Sequence, residues 1–328
     1  MAVGRWLLYI LHLPSYMTCG RACSRSAMLK QAYHCSRSIA AFNFQFSILN
    51  LQNMKHTLLL IACLFTASFC NARTERVIIQ GDHGKLVADL QTPDVMPKHC
   101  PIVILCHGFT SNRNGGLEQG IAHELEAQGI ASIRFDFNGH GESEGDFVQM
   151  TVPNEIEDAH HVYNWVKEDG RFGKIGIAGH SQGGVVTAML AGKLGKKAFK
   201  GGVVLLAPAG VIRDDAIRGT VAGQPVSEGD PLDPPEYVEV WGHHLGRDYI
   251  KSAFWLPIYE TAAGYKGPAC IIHGTADRTV PYTYGLRFHQ QWEKSEWHLL
   301  DRYDHGFGPH PEEAVKLAVS FFTKCLKR

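Results

Sequence analysis

The sequence has no excess of charge of either sign and no apolar run long enough to cross a bilayer comfortably. Its 32 Lys and Arg balance 32 Asp and Glu, which argues against nucleic acid or an anionic membrane surface as the main partner. The apolar run at residues 57–69 has thirteen positions, whereas a transmembrane helix needs about 20. We therefore expect neither a nucleic-acid partner nor a stable membrane span.

Metal-ligand spacing, internal repeats and low-complexity segments are also missing. The 18 histidines include two adjacent pairs, His160-His161 and His243-His244, and neighbouring residues on a helix cannot both face one ion. We expect no metal and no cofactor. What the sequence does have, 45 % hydrophobic and 20 % charged residues, is typical of an ordered globular protein.

A signal-peptide pattern lies within the chain rather than at its start. Met54-Lys55-His56 is followed by the apolar run 57–69 and then by Ala72, after which we place the cleavage site. Residues 54–72 are therefore predicted to be a signal peptide, and the protein is predicted to be secreted or periplasmic. This pattern leaves lipidation of Cys70 open.

Residues 1–53 precede the predicted signal peptide, although a signal peptide is expected at the N-terminus. We interpret them as an upstream extension that results from a start assigned too early, with Met54 as the natural first residue. An N-terminal anchor built on the apolar stretch 6–11 is the alternative.

Residues 73–328 are expected to form one domain. This part retains four of the nine cysteines. Cys106 and Cys270 lie in apolar runs and are expected to be buried as small hydrophobic residues. Export permits a disulfide but does not require one.

Predicted strands and helices alternate along this domain. Continuous apolar runs such as 101–106 are typical of strands that are buried on both faces, and the apolar stripe of 154–168 is typical of an amphipathic helix. The alternation predicts an α/β fold with a mostly parallel central sheet and helices on both faces. Strands are predicted at 76–80, 85–91, 101–106, 131–135, 174–178, 202–207, 269–272 and 296–300, and helices at 116–128, 154–168, 184–190, 283–292 and 311–326.

The alternation stops over residues 208–262, which are rich in Pro, Gly and Asp with aromatic residues interleaved. A long insertion at the carboxyl edge of a parallel sheet lies over the place where ligands bind. We therefore predict a cap at about 208–262. A surface excursion with its own small core is the alternative, and the two are compatible.

Gly179-His180-Ser181-Gln182-Gly183 fits the pattern G-x-S-x-G between a predicted strand and a predicted helix. A serine on this sharp turn exposes its hydroxyl, and the flanking glycines let the turn close. The context predicts acyl transfer with Ser181 as the nucleophile. A buried serine in a tight turn is the alternative.

A serine nucleophile needs a base, and the base needs an acid that orients it. In this strand–helix arrangement the acid and then the histidine follow the serine along the chain. Asp277, after strand 269–272, and His305, after the last strand, meet that order. Asp301 and Asp304 are rivals for the acid, although Asp304 adjoins His305 and should point elsewhere.

The negative charge that develops during acyl transfer needs two backbone N–H donors. One is expected from Gln182, which follows the nucleophile, and the other from Phe109 in the loop after strand 101–106.

Four segments, together with 150–158 and 256–260, match the pattern of a known family. They are His107-Gly108-Phe109-Thr110, Arg134-Phe135-Asp136-Phe137-Asn138-Gly139-His140-Gly141-Glu142-Ser143, Gly179-His180-Ser181-Gln182-Gly183-Gly184 and Asp304-His305-Gly306-Phe307. Through them the domain resembles α/β-hydrolases of the cinnamoyl/feruloyl esterase group. The resemblance implies an α/β-hydrolase fold with a cap insertion that shapes a slot for an aromatic acyl group. By their position in the cap, Asp215 and Tyr249 are the candidate substrate-binding residues, with ordinary cap packing as the alternative.

The resemblance implies a serine carboxylesterase that hydrolyses hydroxycinnamate esters such as feruloyl and p-coumaroyl groups, without a cofactor. The expected partner is an aromatic ester, either a small molecule or linked to a plant cell-wall polysaccharide. The oligomeric state is open, with a homodimer as one candidate. The alternatives are a short-chain acyl esterase or lipase, a thioesterase, a peptidase or amidase, and a non-catalytic binding module.

Overall fold

The computed structural model describes residues 73–226, 230 and 232–327. The predicted upstream extension 1–53 and signal peptide 54–72 lie outside the described residues. In the part that is described, no helix combines the length and the apolar character that crossing a membrane requires.

A mixed sheet of eight strands forms the centre of the domain. Its strands are β1 Arg73–Gln80, β2 Lys85–Thr92, β3 Cys100–Cys106, β4 Ala131–Phe135, β5 Phe172–His180, β6 Val203–Leu206, β11 Ala269–Gly274 and β12 Ser295–Leu300. They lie in the order β1-β2-β4-β3-β5-β6-β11-β12. From β4 to β12 all neighbours pair in parallel, and β1 and β2 add antiparallel pairings at one edge. The predicted α/β-hydrolase fold is confirmed.

Eight helices flank or extend the sheet within the described residues. They are α1 Gly116–Ala127, α2 Val152–Glu168, α3 Gln182–Leu194, α4 Ile212–Ile217, α5 Arg247–Phe254, α6 Ile258–Ala262, α7 Tyr282–Gln291 and α8 Pro311–Leu326. Helix α2 begins two residues before the predicted start. The reason is that the side chain of Thr151 accepts a hydrogen bond from the N–H of Asn154, and Pro153 suits a first helical turn.

The two faces of the sheet build two separate apolar cores. Successive residues of a strand point to opposite faces, so Ile102 and Ile104 join one core while Val103 and Leu105 join the other. Helices α2 and α3 cover the first core, and α1 and α8 cover the second. This two-sided burial is the physical reason for the continuous apolar runs in the sequence.

The cysteines of the strands behave as predicted. Cys106 and Cys270 are fully buried, which confirms their role as small hydrophobic residues. Cys100, Cys106 and Cys270 are free thiols.

The segment between β6 and β11 departs from the strand–helix alternation. It holds α4, α5, α6 and two short hairpins, formed by β7 Thr220–Val221 with β8 Gln224–Pro225 and by β9 Tyr237–Val240 with β10 His243–Gly246. Strand β10 packs against a 3₁₀ turn at Phe147–Gln149, in the loop that follows β4. These contacts place cap residues beside the loops at the carboxyl ends of the central strands.

Candidate active site

Ser181 lies on a strained turn between β5 and α3. Its backbone adopts φ 55° and ψ −121°, a left-handed conformation that is uncommon for a residue with a side chain. A Cβ atom at Gly179 would overlap the backbone of Gly183, and one at Gly183 would overlap the backbone of Cys106 and His107. The two glycines of the motif are therefore required because the backbone approaches them too closely for a side chain.

Ser181, His305 and Asp277 form a continuous hydrogen-bonded series. The Ser181 hydroxyl lies 2.9 Å from Nε2 of His305, and Nδ1 of His305 lies 2.7 Å from Oδ2 of Asp277. The three residues follow β5, β12 and β11, whose carboxyl ends meet at one edge of the parallel sheet. This arrangement has the atoms needed for a serine nucleophile, its base and the acid that orients the base.

The carboxylate of Asp277 is fully occupied by donors. Its Oδ1 accepts hydrogen bonds from the N–H groups of Thr279 and Val280 at 2.9 and 2.8 Å. Its Oδ2 accepts from His305 and, at 3.2 Å, from His273. Burial alone would raise the pKa of Asp277, but the hydrogen bonds from the two imidazoles outweigh it and hold the pKa well below its usual range.

The other two candidates for the acid, Asp304 and Asp301, accept hydrogen bonds from other groups. Oδ1 of Asp304 accepts hydrogen bonds from the N–H groups of Gly306 and Gly308. Asp301 accepts from the hydroxyl of Thr275 on the exposed side of its loop. Asp277 is therefore the carboxylate that the structure brings to the His305 ring.

The two predicted oxyanion donors lie beside Ser181. Gln182 is the first residue of α3, and the first N–H groups of a helix have no intrahelical acceptor. Phe109 follows Gly108, whose hypothetical Cβ would lie 3.1 Å from Cβ of Ser181. Both residues line the cavity at the serine. That their N–H groups donate hydrogen bonds to an oxyanion stays a prediction.

A cavity of about 210 Å³ opens over Ser181, with mostly apolar walls. Loops of the central domain and residues of the cap line it together. The ring of Phe109 packs against Phe147, Trp241 and Tyr249, with centroids 5.7 to 5.9 Å apart. The full lining is Gly108, Phe109, Ser111, His180, Ser181, Gln182, Ala209, Val211, Ile212, Asp215, Val221, Ala222, Trp241, Tyr249, Thr279, Val280 and His305.

The two predicted substrate-binding residues reach the cavity but already hold protein partners. The Tyr249 hydroxyl donates a hydrogen bond to Oε1 of Gln182 at 2.7 Å. Oδ1 of Asp215 accepts from the Thr220 hydroxyl at 3.2 Å, and burial raises the pKa of this carboxyl. Each residue therefore stabilises the cap as well as lining the cavity.

Glu155 was not predicted from the sequence. It is hydrogen-bonded to Gln182, the partner of Tyr249, and so links this pair to the core. Nε2 of Gln182 donates to Oε2 of Glu155 at 2.9 Å, so the Gln182 side chain connects cap helix α5 to helix α2. Burial raises the pKa of Glu155 well above its usual range. In the sequence this glutamate resembles any carboxylate in a first helical turn, and no signal distinguished it.

His180, the residue before the nucleophile, supports the base. Its Nε2–H donates to the backbone oxygen of His305 at 2.9 Å, and the two rings pack with centroids 4.9 Å apart. Burial lowers the pKa of His180 to about 4, so the ring is neutral at pH 7 and can keep this donor geometry. The motif G-x-S-x-G leaves this position unspecified.

One group of potential metal ligands occurs among the described residues. Ligand atoms of Cys270, Glu296 and His298 lie within 4.8 Å of one another on β11 and β12. Burial raises the pKa of the Cys270 thiol, which disfavours the thiolate form that binds metals. None of the three lines the cavity over Ser181.

The chain is similar to several known proteins. A family model described as Hydrolase_4, serine aminopeptidase S33, matches residues 97–226. The "Uncharacterized 31.7 kDa protein in traX-finO intergenic region" of Escherichia coli is 36 % identical over 96 residues, which cover 29 % of this chain and 33 % of that protein. The chain thus spans about a third of the length of this curated relative.

Two other matches cover more of the domain. The mitochondrial palmitoyl-protein thioesterase ABHD10 of Mus musculus is 23 % identical over 219 residues, 61 % of this chain and 72 % of that protein. The structure of Est1E from Butyrivibrio proteoclasticus with ferulic acid bound superposes with a TM-score of 0.73 at 27 % identity, covering 77 % of this chain and all of that one. The family model covers residues 97–226, and the match to Est1E covers 77 % of this chain. The domain has the α/β-hydrolase fold and is similar to the serine esterase-like members of that superfamily.

Proposed function

We propose that the protein is a serine carboxylesterase that hydrolyses hydroxycinnamate esters, such as feruloyl and p-coumaroyl esters. The observation that carries the proposal is the hydrogen-bonded series from Asp277 through His305 to Ser181 at a capped, mostly apolar cavity. The predicted signal peptide supports action on plant cell-wall esters outside the cytoplasm.

The mechanism follows from the positions of these atoms. Oγ of Ser181 attacks the ester carbonyl while Nε2 of His305 takes the hydroxyl proton, and the N–H groups of Phe109 and Gln182 face the oxyanion. The bond to the alcohol then breaks as His305 returns the proton to the leaving oxygen. Water attacks the acyl-enzyme by the same route and releases the acid and free Ser181. Asp277 keeps the Nδ1–H of His305 oriented throughout.

The size and walls of the cavity favour a compact aromatic acyl group. Its volume of about 210 Å³ is below the roughly 300–1,000 Å³ of pockets for drug-sized ligands. The rings of Phe109, Trp241 and Tyr249 offer aromatic faces for packing. Asp215 provides an acceptor in the cap that suits a phenolic hydroxyl. Similarity to Est1E, which binds ferulic acid in its structure, supports the same acyl class.

Replacing Asp215 tests the acyl assignment. We expect the wild-type kcat/KM to favour methyl ferulate over methyl cinnamate, which lacks the phenol, by about 10-fold, because a hydrogen bond to a charged group contributes about 1.5–3 kcal/mol. Asp215→Leu should bring that ratio close to one. Asp214→Leu is the matched control, since Asp214 lies on the same helix but accepts from Tyr284 and does not line the cavity.

A panel of other substrates separates the remaining candidates. A strong preference for p-nitrophenyl butyrate over methyl ferulate would contradict the aromatic slot and support a short-chain acyl esterase. Similarity to a palmitoyl-protein thioesterase favours a thioester as the second candidate, which a palmitoyl thioester in the same panel tests. Turnover of aminoacyl anilides would instead indicate a peptidase or amidase.

A further inference from the structure

A second histidine contacts the acid of the triad. His273 is the fifth residue of β11 and is fully buried. Its Nε2 lies 3.2 Å from Oδ2 of Asp277 and 3.0 Å from the backbone oxygen of Val280. The same carboxylate oxygen that accepts from His305 therefore also faces the His273 ring.

The surroundings of His273 define which nitrogen carries its proton. The oxygen of Val280 can only accept, so Nε2 must be the donor, and its N–H is shared between this oxygen and Asp277. Within the described residues Nδ1 has no hydrogen-bond partner. It faces Gly285 of α7, where a Cβ atom would overlap the ring. This packing holds the ring in one orientation, with its N–H directed at the carboxylate.

We infer that His273 is a positioning residue for the acid of the triad, an inference that rests on the proposed serine-hydrolase function. Asp277 must present Oδ2 to Nδ1 of His305 at hydrogen-bond distance for His305 to act as a base. Two backbone N–H groups hold only its Oδ1. His273 holds Oδ2, and through Val280 it also holds the turn that carries those backbone donors and lines the cavity.

His273 does not contact the Ser181 hydroxyl, so its effect must pass through Asp277 and His305. Its loss should therefore lower the rate of each step in which His305 moves a proton, with little effect on substrate binding. A residue that only fills the core would instead change the melting temperature without separating kcat from KM. This difference makes the inference testable.

The test compares His273→Leu, which fills the space without a donor, with His273→Gln, whose Nε2 ends where the imidazole Nε2 lies. We expect His273→Leu to lower kcat by about 10–100-fold with KM changed less than about 3-fold, by analogy with the loss of hydrogen-bonded partners that orient metal-ligating histidines. His273→Gln should recover kcat to within about 5-fold of wild type. His289→Leu is the control, because His289 bonds Ser295 outside the cavity.

The rate of Ser181 labelling by a fluorophosphonate is measured for the same variants, because it needs the triad but no ester substrate. A folded His273→Leu with wild-type kcat and labelling rate would overturn the inference. Equal losses of kcat and labelling rate in His273→Leu and His273→Gln, in proportion to a lower fraction of folded protein, would overturn it too. If His273→Leu does not fold, a comparison of His273→Gln with His273→Asn gives the same contrast, because the shorter Asn amide cannot reach Asp277.

The two readouts also separate this inference from the proposed function. Labelling that depends on His273, without turnover of any ester in the panel, would support the positioning role and contradict the esterase. Ester hydrolysis that is unchanged in His273→Leu would support the esterase and contradict the positioning role.

Discussion

Ser181→Ala is expected to lower kcat for ester hydrolysis by about 10⁶-fold, the loss seen when a triad nucleophile is removed. The physical reason is that the variant keeps the cavity and the backbone donors but has no oxygen 2.9 Å from Nε2 of His305 to attack the carbonyl. KM should change little, because alanine leaves the apolar walls intact. Labelling by a fluorophosphonate should disappear.

Ser295→Ala is the matched control for this substitution. Ser295 begins β12 and bonds residues of that edge, including the backbone of Trp292, without lining the cavity. Its kcat and labelling should stay within a few-fold of wild type. If Ser181→Ala were still labelled, or kept kcat within 10-fold of wild type, another residue would have to be the nucleophile.

Asp277→Asn is expected to lower kcat by about 10⁴-fold, as the same change does in other Ser-His-Asp enzymes. Thr279 and Val280 donate two N–H groups to Oδ1, so the amide oxygen must take that place and the NH₂ group must face His305. Nδ1 would then become an acceptor and Nε2 would carry the proton. A protonated Nε2 cannot take the proton of Ser181.

Asp304→Asn is the control for the acid assignment. Its carboxylate accepts from the N–H groups of Gly306 and Gly308, in the loop that carries His305. It tests whether a change in this loop is enough to lower the rate. We expect kcat within about 5-fold of wild type, the effect of an outer polar contact. A larger loss in Asp304→Asn than in Asp277→Asn would reverse the assignment of the acid.

The central fold could be predicted because its signals are local. Strands buried on both faces, such as β3 and β6, appear as continuous apolar runs in any context. The order of the strands could not be predicted in the same way. That β4 lies between β2 and β3 depends on which helices cover which face, and the sequence does not carry that information locally.

The cap was predicted only as an insertion, without its elements. Its strands β7 to β10 have two to four residues each, which is too short for any periodicity to be visible. Their pairing depends on the turns and on contact with the 3₁₀ turn at Phe147–Gln149. These are tertiary features of polar, glycine-rich segments.

The reacting side chains were easier to predict than their supporting partners. Ser181, Asp277 and His305 each follow a strand in the order that the motif requires, so spacing identified them. Glu155 and His273 support the site only through contacts made across the fold. Tyr249 was predicted to bind substrate and lines the cavity, but its hydrogen bond to Gln182 could not be predicted from spacing.

The most direct test of the esterase mechanism is to trap the acyl-enzyme. Wild-type protein is mixed with excess methyl ferulate, quenched in acid within the first turnovers, and analysed by intact and peptide mass spectrometry. We expect one feruloyl adduct per chain on the peptide that contains Ser181, and none in Ser181→Ala. A feruloyl adduct on another residue, or an adduct formed with p-nitrophenyl butyrate but not with methyl ferulate, would contradict the proposed mechanism.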